Sequence, residues 1–403
     1  MADLKDPDLY VSGMPYAELA AMRAAGAVHW NPERDGPGFW AVLGFDEIVA
    51  VSRQADIFSS AHENGGHRIF NENEVGLTGA GESAIGIPFI SRDPPTHTQY
   101  RKFVMPALSP VRLEGIEGRI AERVERLFAG VPLNETIDIL PLFTVPLPLL
   151  TLAELLGLPA ETWRDLHRWT DAFVGEDDPD FRQSPEAMRS VMEEFIGFAS
   201  ALFEERRSNP GQDIASLLAN TEIQGQPVSL GDFIGNLILV LVGGNETTRN
   251  SINHSLIAFA NNPDQWNKVE GDPGLLPNAV KEMVRHASPI IHMRRTATRD
   301  NELGGQTIRK GEKVVVFYPA GNRDPSMFPD PDRFDVARPI RQHLAFGAGT
   351  HVCVGSRLAE MQLRLAFAVM ARHVRRFEIV GQPSRVRSNF INGFKRLEVR
   401  LVA

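Results

Sequence analysis

The sequence predicts a mainly α fold with a smaller β-rich part, built as one domain over residues 1–403. Three observations support this prediction. Residues from about 110 to 290 repeat apolar side chains at helical spacing. After Pro289 the pattern changes to alternation with many β-branched residues. No repeat, low-complexity segment or linker divides the chain into two compact units.

The composition is that of a globular protein, with 43% hydrophobic and 23% charged residues. The formal net charge of -9 at pH 7 disfavours a nucleic-acid partner. A single cysteine excludes an intrachain disulfide and fits a reducing compartment. The N-terminus lacks a signal-peptide pattern, and the longest uncharged stretch, residues 139–153, is too short and proline-rich for a bilayer span. We therefore expect a cytoplasmic monomer without a membrane anchor.

The predicted helices include two amphipathic segments. Residues 111–128, VRLEGIEGRIAERVERLF, place apolar side chains at helical spacing between charged ones. Residues 184–209 do the same, and Ser184 followed by Glu186 is typical of a helix start. Each segment should bury one face.

A longer helix is predicted from about Leu230 to Ala260. Ser229 and Asp232 resemble a capping box, and the Asn-Asn-Pro sequence at 261–263 should end the helix. At ~1.5 Å per residue, about 30 residues span roughly 45 Å, so this helix would cross the molecule.

The centre of that helix carries residues that are costly to bury. It is apolar on all sides over 237–242, and Gly243, Gly244, Glu246 and Thr247 follow. A glycine inside a helix costs about 1 kcal/mol relative to alanine, and a buried carboxylate costs more unless it is paired or protonated. Either a ligand lies against this backbone, or the glycines permit a close helix crossing with the polar residues at the surface.

Beyond Pro289 the sequence predicts short strands. Residues 294–325 alternate, with turns at the glycine pair 304–305 and at the Lys-Gly pair 310–311. Residues 377–402 also read as short strands around turns. These segments form the predicted β-rich part.

The single cysteine lies in the segment HLAFGAGTHVCVG, directly before a stretch with helical period. A thiol near a helix N-terminus is favoured as a thiolate, and Gly347, Gly349 and Gly355 permit close approach of a flat ligand. A free cysteine is most often a small core residue. Cys353 is otherwise a candidate metal ligand or a candidate nucleophile, with His351 as the available histidine.

This segment resembles the heme-binding signature of cytochrome P450 enzymes, F-x-x-G-x-x-x-C-x-G, through Phe346, Gly349, Cys353 and Gly355. Four other segments resemble motifs of the same family, in the same order along the chain. They are DPPTHTQYR (93–101), before the heme-facing helix of soluble bacterial members; GGNET (243–247), in the oxygen-binding helix; EMVR (282–285), the E-x-x-R pair; and NRDPSMFPDPDRFDVAR (322–338), the meander. The resemblance spans about residues 10–403 and implies the cytochrome P450 fold, with the long central helix over the heme.

The resemblance implies a heme b cofactor (iron protoporphyrin IX) with Cys353 as its thiolate ligand, and dioxygen (O2) as cosubstrate. A thiolate pushes electron density toward the iron and favours O–O cleavage. Phe346 would shield the sulfur from water, and core packing of this ring is compatible with that role. Gly243 and Gly244 would leave room for dioxygen. The glycines implied around the cysteine are Gly347, Gly349 and Gly355.

Buried heme propionates need basic or N–H partners. The resemblance implies His97, Arg101, Arg295 and His343 at these positions, with Arg294 as the alternative to Arg295. His97 and Arg101 are four residues apart and would share one helix face. Taken singly, each could be an ordinary surface charge.

The resemblance implies catalytic roles for Glu246 and Thr247. Thr247 corresponds to the threonine that hydrogen-bonds dioxygen, and Glu246 to its acidic neighbour. The reaction needs two protons, and a hydroxyl can relay a proton but cannot supply a net one. An acid connected to solvent is therefore required.

A structural role is implied for Glu282 and Arg285, which are spaced for an ion pair. In the family this pair and an arginine of the meander hold the core on the proximal side of the heme. Arg333 is the predicted third member, with Arg338 as the alternative.

An apolar substrate pocket is expected over the distal side of the heme, although each position could equally be plain core. An apolar lining suits a small apolar substrate of terpenoid, steroid or alkyl-aromatic type, with Asn392 and His292 available to orient a polar group. The residues expected to line the pocket are Phe89 or Ile90, Leu239, Val242, Ile291 and Ile391.

The resemblance further implies a monooxygenase that receives electrons from a 2Fe–2S ferredoxin, supplied by a ferredoxin reductase that oxidises NAD(P)H. Arg101, Lys102, Arg357 and Arg364 could form the basic patch that binds this acidic partner. The alternatives are a heme-thiolate peroxygenase or isomerase, which often lacks the acid–threonine pair, and a non-catalytic heme sensor.

Overall fold

The structure is a computed structural model that describes residues 3–34, 36–69, 85–175, 177–181 and 184–403. Helices dominate these ranges and strands form a smaller part, which confirms the predicted fold class. The α-helices are α1 (Tyr16–Ala25), α2 (Phe45–Arg53), α3 (Thr96–Val104), α4 (Pro110–Ala129), α5 (Pro146–Leu155), α6 (Trp163–Val174), α7 (Pro185–Ser208), α8 (Ile214–Ala219), α9 (Leu230–Asn261), α10 (Pro263–Gly271), α11 (Leu276–Ala287), α12 (Tyr318–Gly321) and α13 (Ser356–His373).

The strands form small sheets at the edge of the helical part. They are β1 (Val28–Asn31), β2 (Phe39–Val42), β3 (Phe58–Ser59), β4 (Thr136–Asp138), β5 (Glu222–Ile223), β6 (Gln226–Pro227), β7 (His292–Ala297), β8 (Asn301–Leu303), β9 (Gln306–Ile308), β10 (Lys313–Phe317), β11 (Arg376–Ile379), β12 (Ser384–Arg385), β13 (Phe394–Arg396) and β14 (Glu398–Val402).

The largest sheet has the strand order β1-β2-β10-β7-β3. β10 runs parallel to β2 and antiparallel to β7, and Val315 lies opposite Ala41 on one side and Arg294 on the other. The sequence of β10, KVVVF, is apolar at four of its five positions. This fits its central place in the sheet, where all five residues are buried. A second sheet has the order β11-β14-β4 with antiparallel neighbours.

Helix α9 is the axis of the helical part. The Ser229 side chain accepts a hydrogen bond from the Asp232 N–H (3.0 Å), and the helix ends directly before Pro263, as predicted. It packs against α5, α6, α7, α11 and α13. Side chains such as Phe233 and Leu256 are fully buried, and each contributes about 1.5–3 kcal/mol of hydrophobic stabilisation. The helix is therefore fixed on several sides.

The two amphipathic predictions are also confirmed. Helix α4 buries Leu113, Ile116, Ile120, Val124 and Phe128, which recur every three or four residues. Helix α7 starts after Ser184, whose side chain accepts a hydrogen bond from the N–H of Ala187 at 3.2 Å. Within the part of the chain that the structure describes, none of the helices has the length and apolar character needed to cross a membrane.

Candidate functional site

The cysteine loop folds back on itself beside the start of α13. The N–H of Cys353 donates to the carbonyl of Phe346 at 2.8 Å. Cys353 has exposed surface, yet burial raises the pKa of its thiol. That surface therefore opens onto an interior space. A hydrogen bond from the Gly355 N–H and the charge of Arg101 act in the opposite direction and lower the thiol pKa.

Glycines let this loop approach its neighbours closely. Gly349 has φ +62°, and a Cβ there would lie 2.1 Å from the carbonyl oxygen of Ser52 at the end of α2. Gly347 has φ +69°, and its Cβ would lie 3.3 Å from the Tyr318 hydroxyl. Side chains at these positions would push the loop away from α2 and α12.

Basic side chains from α3, β7 and the cysteine loop meet near the thiol. His97 is 1% exposed, and neither of its ring nitrogens has a hydrogen-bond partner among the described residues. Its ring lies 4.1 Å from the ring of His351. Burial, Arg101 and Arg295 lower the pKa of His97 to about 4. Burial and the same two arginines also lower the pKa of His351.

This basic cluster (His97, Arg101, Arg295 and His351) suits an anionic ligand. Buried donors without partners are costly, and carboxylate groups would satisfy them with charge-assisted hydrogen bonds. The two propionates of a heme next to Cys353 are such groups. The residues present therefore fit heme.

His343 was predicted in this cluster, but its interactions lie elsewhere. Burial first, and then the charges of Arg285 and Lys281, lower its pKa to about 4, and its ring lies 5.3 Å from that of Phe346. His351 takes the place predicted for His343. The signal was its position two residues before Cys353, which sequence reasoning weighed only for a nucleophile.

The two glycines of α9 lie in different surroundings. A Cβ at Gly243 would meet none of the described atoms within 4 Å, so the helix leaves open space there. A Cβ at Gly244 would lie 2.7 Å from the Leu152 side chain, so this glycine permits the crossing of α5 and α9. Both glycines were predicted to leave room on the cofactor side of the helix. Of the two, only Gly243 faces open space.

Glu246 and Thr247, the predicted acid and alcohol, lie within one turn of these glycines in α9. The Thr247 hydroxyl donates to the carbonyl of Gly243 at 2.8 Å, which places it beside the open space. Glu246 is 1% exposed, and its Oε2 accepts a hydrogen bond from Arg249 at 2.5 Å. Burial raises the pKa of Glu246, and the Arg249 charge opposes that shift. The carboxyl group therefore lies within α9 next to the threonine.

Glu282 and Arg285 form a buried bidentate ion pair, with 2.6 and 2.8 Å between the atoms, as expected. The prediction of Arg333 as the third member is wrong, because its side chain is 60% exposed. Only its backbone carbonyl enters the site, where it accepts a hydrogen bond from Arg285. Arg338 fills the role instead, with Nε 3.4 Å from Glu282 and its Nη atoms on meander carbonyls.

The expected pocket residues divide into two groups. Leu239, Val242 and Ile90 are only partly buried, and Phe89 is buried with its ring 6.0 Å from that of His97. Leu239 lies one turn before Gly243 on the same face of α9, and Val242 directly precedes Gly243. These four positions are consistent with a lining of the open space.

The other two pocket predictions are wrong. Ile291 is 0% exposed and Ile391 2% exposed, so neither side chain faces an open space. Ile290, which forms a β-bridge with Ile391, is partly buried and packs against the apolar cluster of the β-rich part. His292 and Asn392 are also buried and bonded to backbone carbonyls, so they stabilise the fold rather than orient a substrate.

A thiol that opens onto an interior space beside basic side chains fits a heme-thiolate protein. The family model of cytochrome P450 matches residues 274–397. A linalool 8-monooxygenase from Pseudomonas putida is 62% identical over 99% of this chain and 98% of its own length. A steroid C26-monooxygenase from Rhodococcus jostii (strain RHA1) is 33% identical over 98% of this chain and 84% of its own.

The solved structure of cytochrome P450-153 from Novosphingobium aromaticivorans has a TM-score of 0.89 at 35% identity and is matched over 99% of both chains. The chain belongs to the cytochrome P450 family. It is a P450 monooxygenase, and the family implies heme with a cysteine thiolate and O2.

Proposed function

We propose that this monooxygenase hydroxylates a small terpenoid alcohol of the linalool type, with Cys353 as the heme ligand. The overall reaction is R–H + O2 + 2 electrons + 2 H+ giving R–OH + H2O. The observation that carries the proposal is the thiol of Cys353, open to an interior space beside the basic cluster. The 62% identity to a linalool 8-monooxygenase supports the substrate class.

Cys353 would hold the iron, and the basic cluster would hold the propionates. Heme with a thiolate ligand supplies the activation of dioxygen for insertion into a C–H bond. The Gly355 N–H, which donates toward the sulfur, stabilises negative charge there. Gly349 keeps the loop against α2 and so fixes the direction of the sulfur.

Glu246 and Thr247 would deliver the two protons. The Thr247 hydroxyl lies next to the open space at Gly243 and can pass on a proton, while the Glu246 carboxyl group can accept one and release it. Burial raises the pKa of Glu246, which brings the acid closer to the pH at which it exchanges protons efficiently.

The substrate would lie against the partly open apolar side chains of α9 and the segment before α3. Leu239, Val242 and Ile90 provide this surface, and burial of an apolar chain there contributes about 25 cal/mol per Å². A C10 terpenoid alcohol is mostly apolar surface, so the lining suits it.

Electrons would come from a 2Fe–2S ferredoxin and its NAD(P)H-dependent reductase. Lys102 and Arg357 are exposed and available to an acidic partner. Arg364 is paired with Glu117 at 2.6 Å, so its charge is already partly compensated. The docking face is therefore centred on Lys102 and Arg357.

The test is spectroscopic. The carbon monoxide complex of the reduced protein should show the red-shifted Soret band of thiolate ligation, and Cys353→Ala should abolish that band. Linalool should produce the low-to-high-spin shift at lower concentrations than steroids or alkyl-aromatic compounds. A protein that binds heme without the red-shifted band, or responds only to steroids, would contradict the proposal.

A further inference from the structure

His67 lies beside the proposed substrate pocket and is held in place from several sides. Its backbone carbonyl accepts a hydrogen bond from the N–H of Arg294 on β7 at 2.7 Å. Its Nδ1 lies 2.6 Å from the Ser91 hydroxyl, and its ring lies 6.4 Å from the ring of Phe390. Ser91 and Phe390 are both buried. The imidazole is therefore fixed between β7, the segment before α3 and the C-terminal segment.

The second ring nitrogen of His67 is open. Nε2 makes no hydrogen bond within the described part of the chain, yet it is not one of the fully buried polar atoms there. The side chain is partly buried, and burial, followed by the charges of Arg68 and Arg295, lowers its pKa to about 3. As for Cys353, open surface on a group that burial affects so strongly faces an interior space. The imidazole is neutral there.

The contacts of Ser91 place this space at one end of the apolar lining. Ser91 belongs to the short helical turn Phe89–Ser91, which also carries the partly buried Ile90. The first N–H of this turn donates to Asn236 on α9 at 2.8 Å. Asn236 precedes Gly243 by about two turns, or ~10 Å along the helix. Nε2 of His67 therefore lies at the end of the pocket that is remote from Gly243.

A neutral imidazole at this point suits an alcohol. Nε2 either donates or accepts, according to the tautomer, and a hydroxyl group can do both, so the two pair in either case. A propionate accepts only, and the basic cluster already offers it the charges of Arg101 and Arg295. The apolar side chains of Leu239 and Ile90 offer a hydroxyl no partner, and a buried hydroxyl without one costs free energy.

We infer that His67 is a specificity residue, whose Nε2 forms a hydrogen bond with the hydroxyl group of the substrate. With the hydroxyl at this end of the pocket, the opposite end of the carbon chain points toward Gly243 and Thr247. His67 thus takes the orienting role that sequence analysis gave to Asn392 and His292. This inference rests on the proposed function, and it adds the group that selects an alcohol over a hydrocarbon.

The experiment compares an alcohol with its matching hydrocarbon on the full-length heme-bound protein. Spin-shift titrations use linalool and the analogue in which hydrogen replaces its hydroxyl group. His67→Phe keeps a flat ring but removes Nε2. It should weaken the binding of linalool roughly tenfold and change the binding of the hydrocarbon by less than about twofold, because only the alcohol loses a hydrogen bond.

Three further variants separate hydrogen bonding from shape. His67→Gln keeps a polar group and should recover part of the preference for the alcohol. Ser91→Ala keeps the imidazole but removes the hydroxyl that fixes Nδ1, so the preference should fall about threefold. His62→Phe is the matched control, because it makes the same change at an exposed histidine of the same segment. It should leave both titrations unchanged.

Equal weakening of both ligands in His67→Phe would show that the ring only shapes the pocket, and this would overturn the inference. An unchanged preference for linalool, or loss of heme from a folded variant, would do the same. Should His67→Phe fail to fold, an unchanged preference in Ser91→Ala decides against the inference. If linalool gives no spin shift in the unchanged protein, the proposed substrate is wrong. The same comparison is then made with octanol and octane, so the two failures stay distinct.

Discussion

Hydroxyl groups recur along α9, but only Thr247 lies next to the open space at Gly243. Ser251, one turn later, makes the same kind of bond: its hydroxyl donates to the carbonyl four residues earlier at 2.8 Å. Ser251 is 4% exposed, whereas Thr247 is only partly buried. The surroundings of a residue, rather than its chemical type, therefore decide which hydroxyl can take part in proton transfer.

Thr247→Ala should keep the fold but lose the coupling between NAD(P)H consumption and product formation. The lost hydrogen bond to Gly243 is worth only about 0.5–1.5 kcal/mol, but without the hydroxyl the reducing equivalents should end in peroxide. We expect product formed per NAD(P)H to fall roughly tenfold or more. Ser251→Ala, measured with the same reconstituted electron donors, should keep its coupling. Equal coupling in Thr247→Ala and the unchanged protein would refute the relay.

At the scale of elements, residues 85–92 lie across the first turns of α9. The Gly86 N–H donates to the carbonyl of Gly231 at 2.8 Å, and the Phe89 N–H donates to Asn236 at 2.8 Å. A Cβ at Gly235 would lie 2.2 Å from the carbonyl oxygen of Gly86. This segment is held so closely to the helix only because position 235 has no side chain.

Gly235→Ala should therefore change substrate binding more than it changes stability. Gly235 lies on the same face of α9 as Leu239, one turn away, so displacing residues 85–92 alters the end of the proposed pocket. We expect the concentration of linalool needed for the spin shift to change roughly tenfold, or about 1.4 kcal/mol. Gly197→Ala on α7 is the control, since its Cβ meets none of the described atoms within 4 Å. Identical spin-shift titrations in both variants would contradict this account.

The elements that the sequence predicts are those whose signals are local. Helices α4, α7 and α9 follow from apolar period and from caps such as Ser229. Strands β1 to β3 were not predicted, because they have two to four residues each and pair with β10 and β7 more than 230 residues away, or with each other. Motif spacing likewise identifies Cys353, but it cannot show that His351 rather than His343 joins the basic cluster.

Errors of one or a few residues have the same origin. Ile291 is buried while Ile290 is partly buried, because side chains alternate between faces in extended chain, so a shift of one residue reverses which one is buried. Arg338, and not Arg333, pairs with Glu282. The meander has no regular secondary structure, so its sequence does not show which arginine side chain points inward. Side-chain direction in irregular segments depends on tertiary contacts that the sequence pattern does not contain.

For the whole molecule, two histidines connect the C-terminal segment to both parts of the fold, and His254 is partly buried while His292 is fully buried. His254 of α9 is bonded to the carbonyl of Asn392 at 2.9 Å, and His292 of β7 to the carbonyl of Asn389 at 2.9 Å. Burial lowers the pKa of each histidine to about 3. Both are therefore neutral in the folded protein at any pH near 7.

This burial predicts a loss of stability on mild acidification. The histidine pKa is about 6.5 in an unfolded chain, so below that pH the unfolded state binds more protons than the folded state. Stability is complete above pH 6.5 and falls as the pH approaches 3, by up to about 1.4 kcal/mol per pH unit for each histidine. From pH 7 to pH 5 the two together should lower the free energy of unfolding by about 4 kcal/mol.

Urea unfolding of the heme-bound protein at fixed pH values between 7 and 5 measures this slope. His292→Gln should reduce the fall in stability between pH 7 and pH 5 by about 2 kcal/mol, an average of about 1 kcal/mol per pH unit. This holds even if the variant is less stable at pH 7, because glutamine can keep a hydrogen bond but does not titrate. His62→Gln, which changes an exposed histidine, should leave the slope as it is. If His292→Gln and His62→Gln gave the same slope as the unchanged protein, acid sensitivity would have to arise from other groups, and the histidine contacts with the C-terminal segment would not set the pH range of the fold.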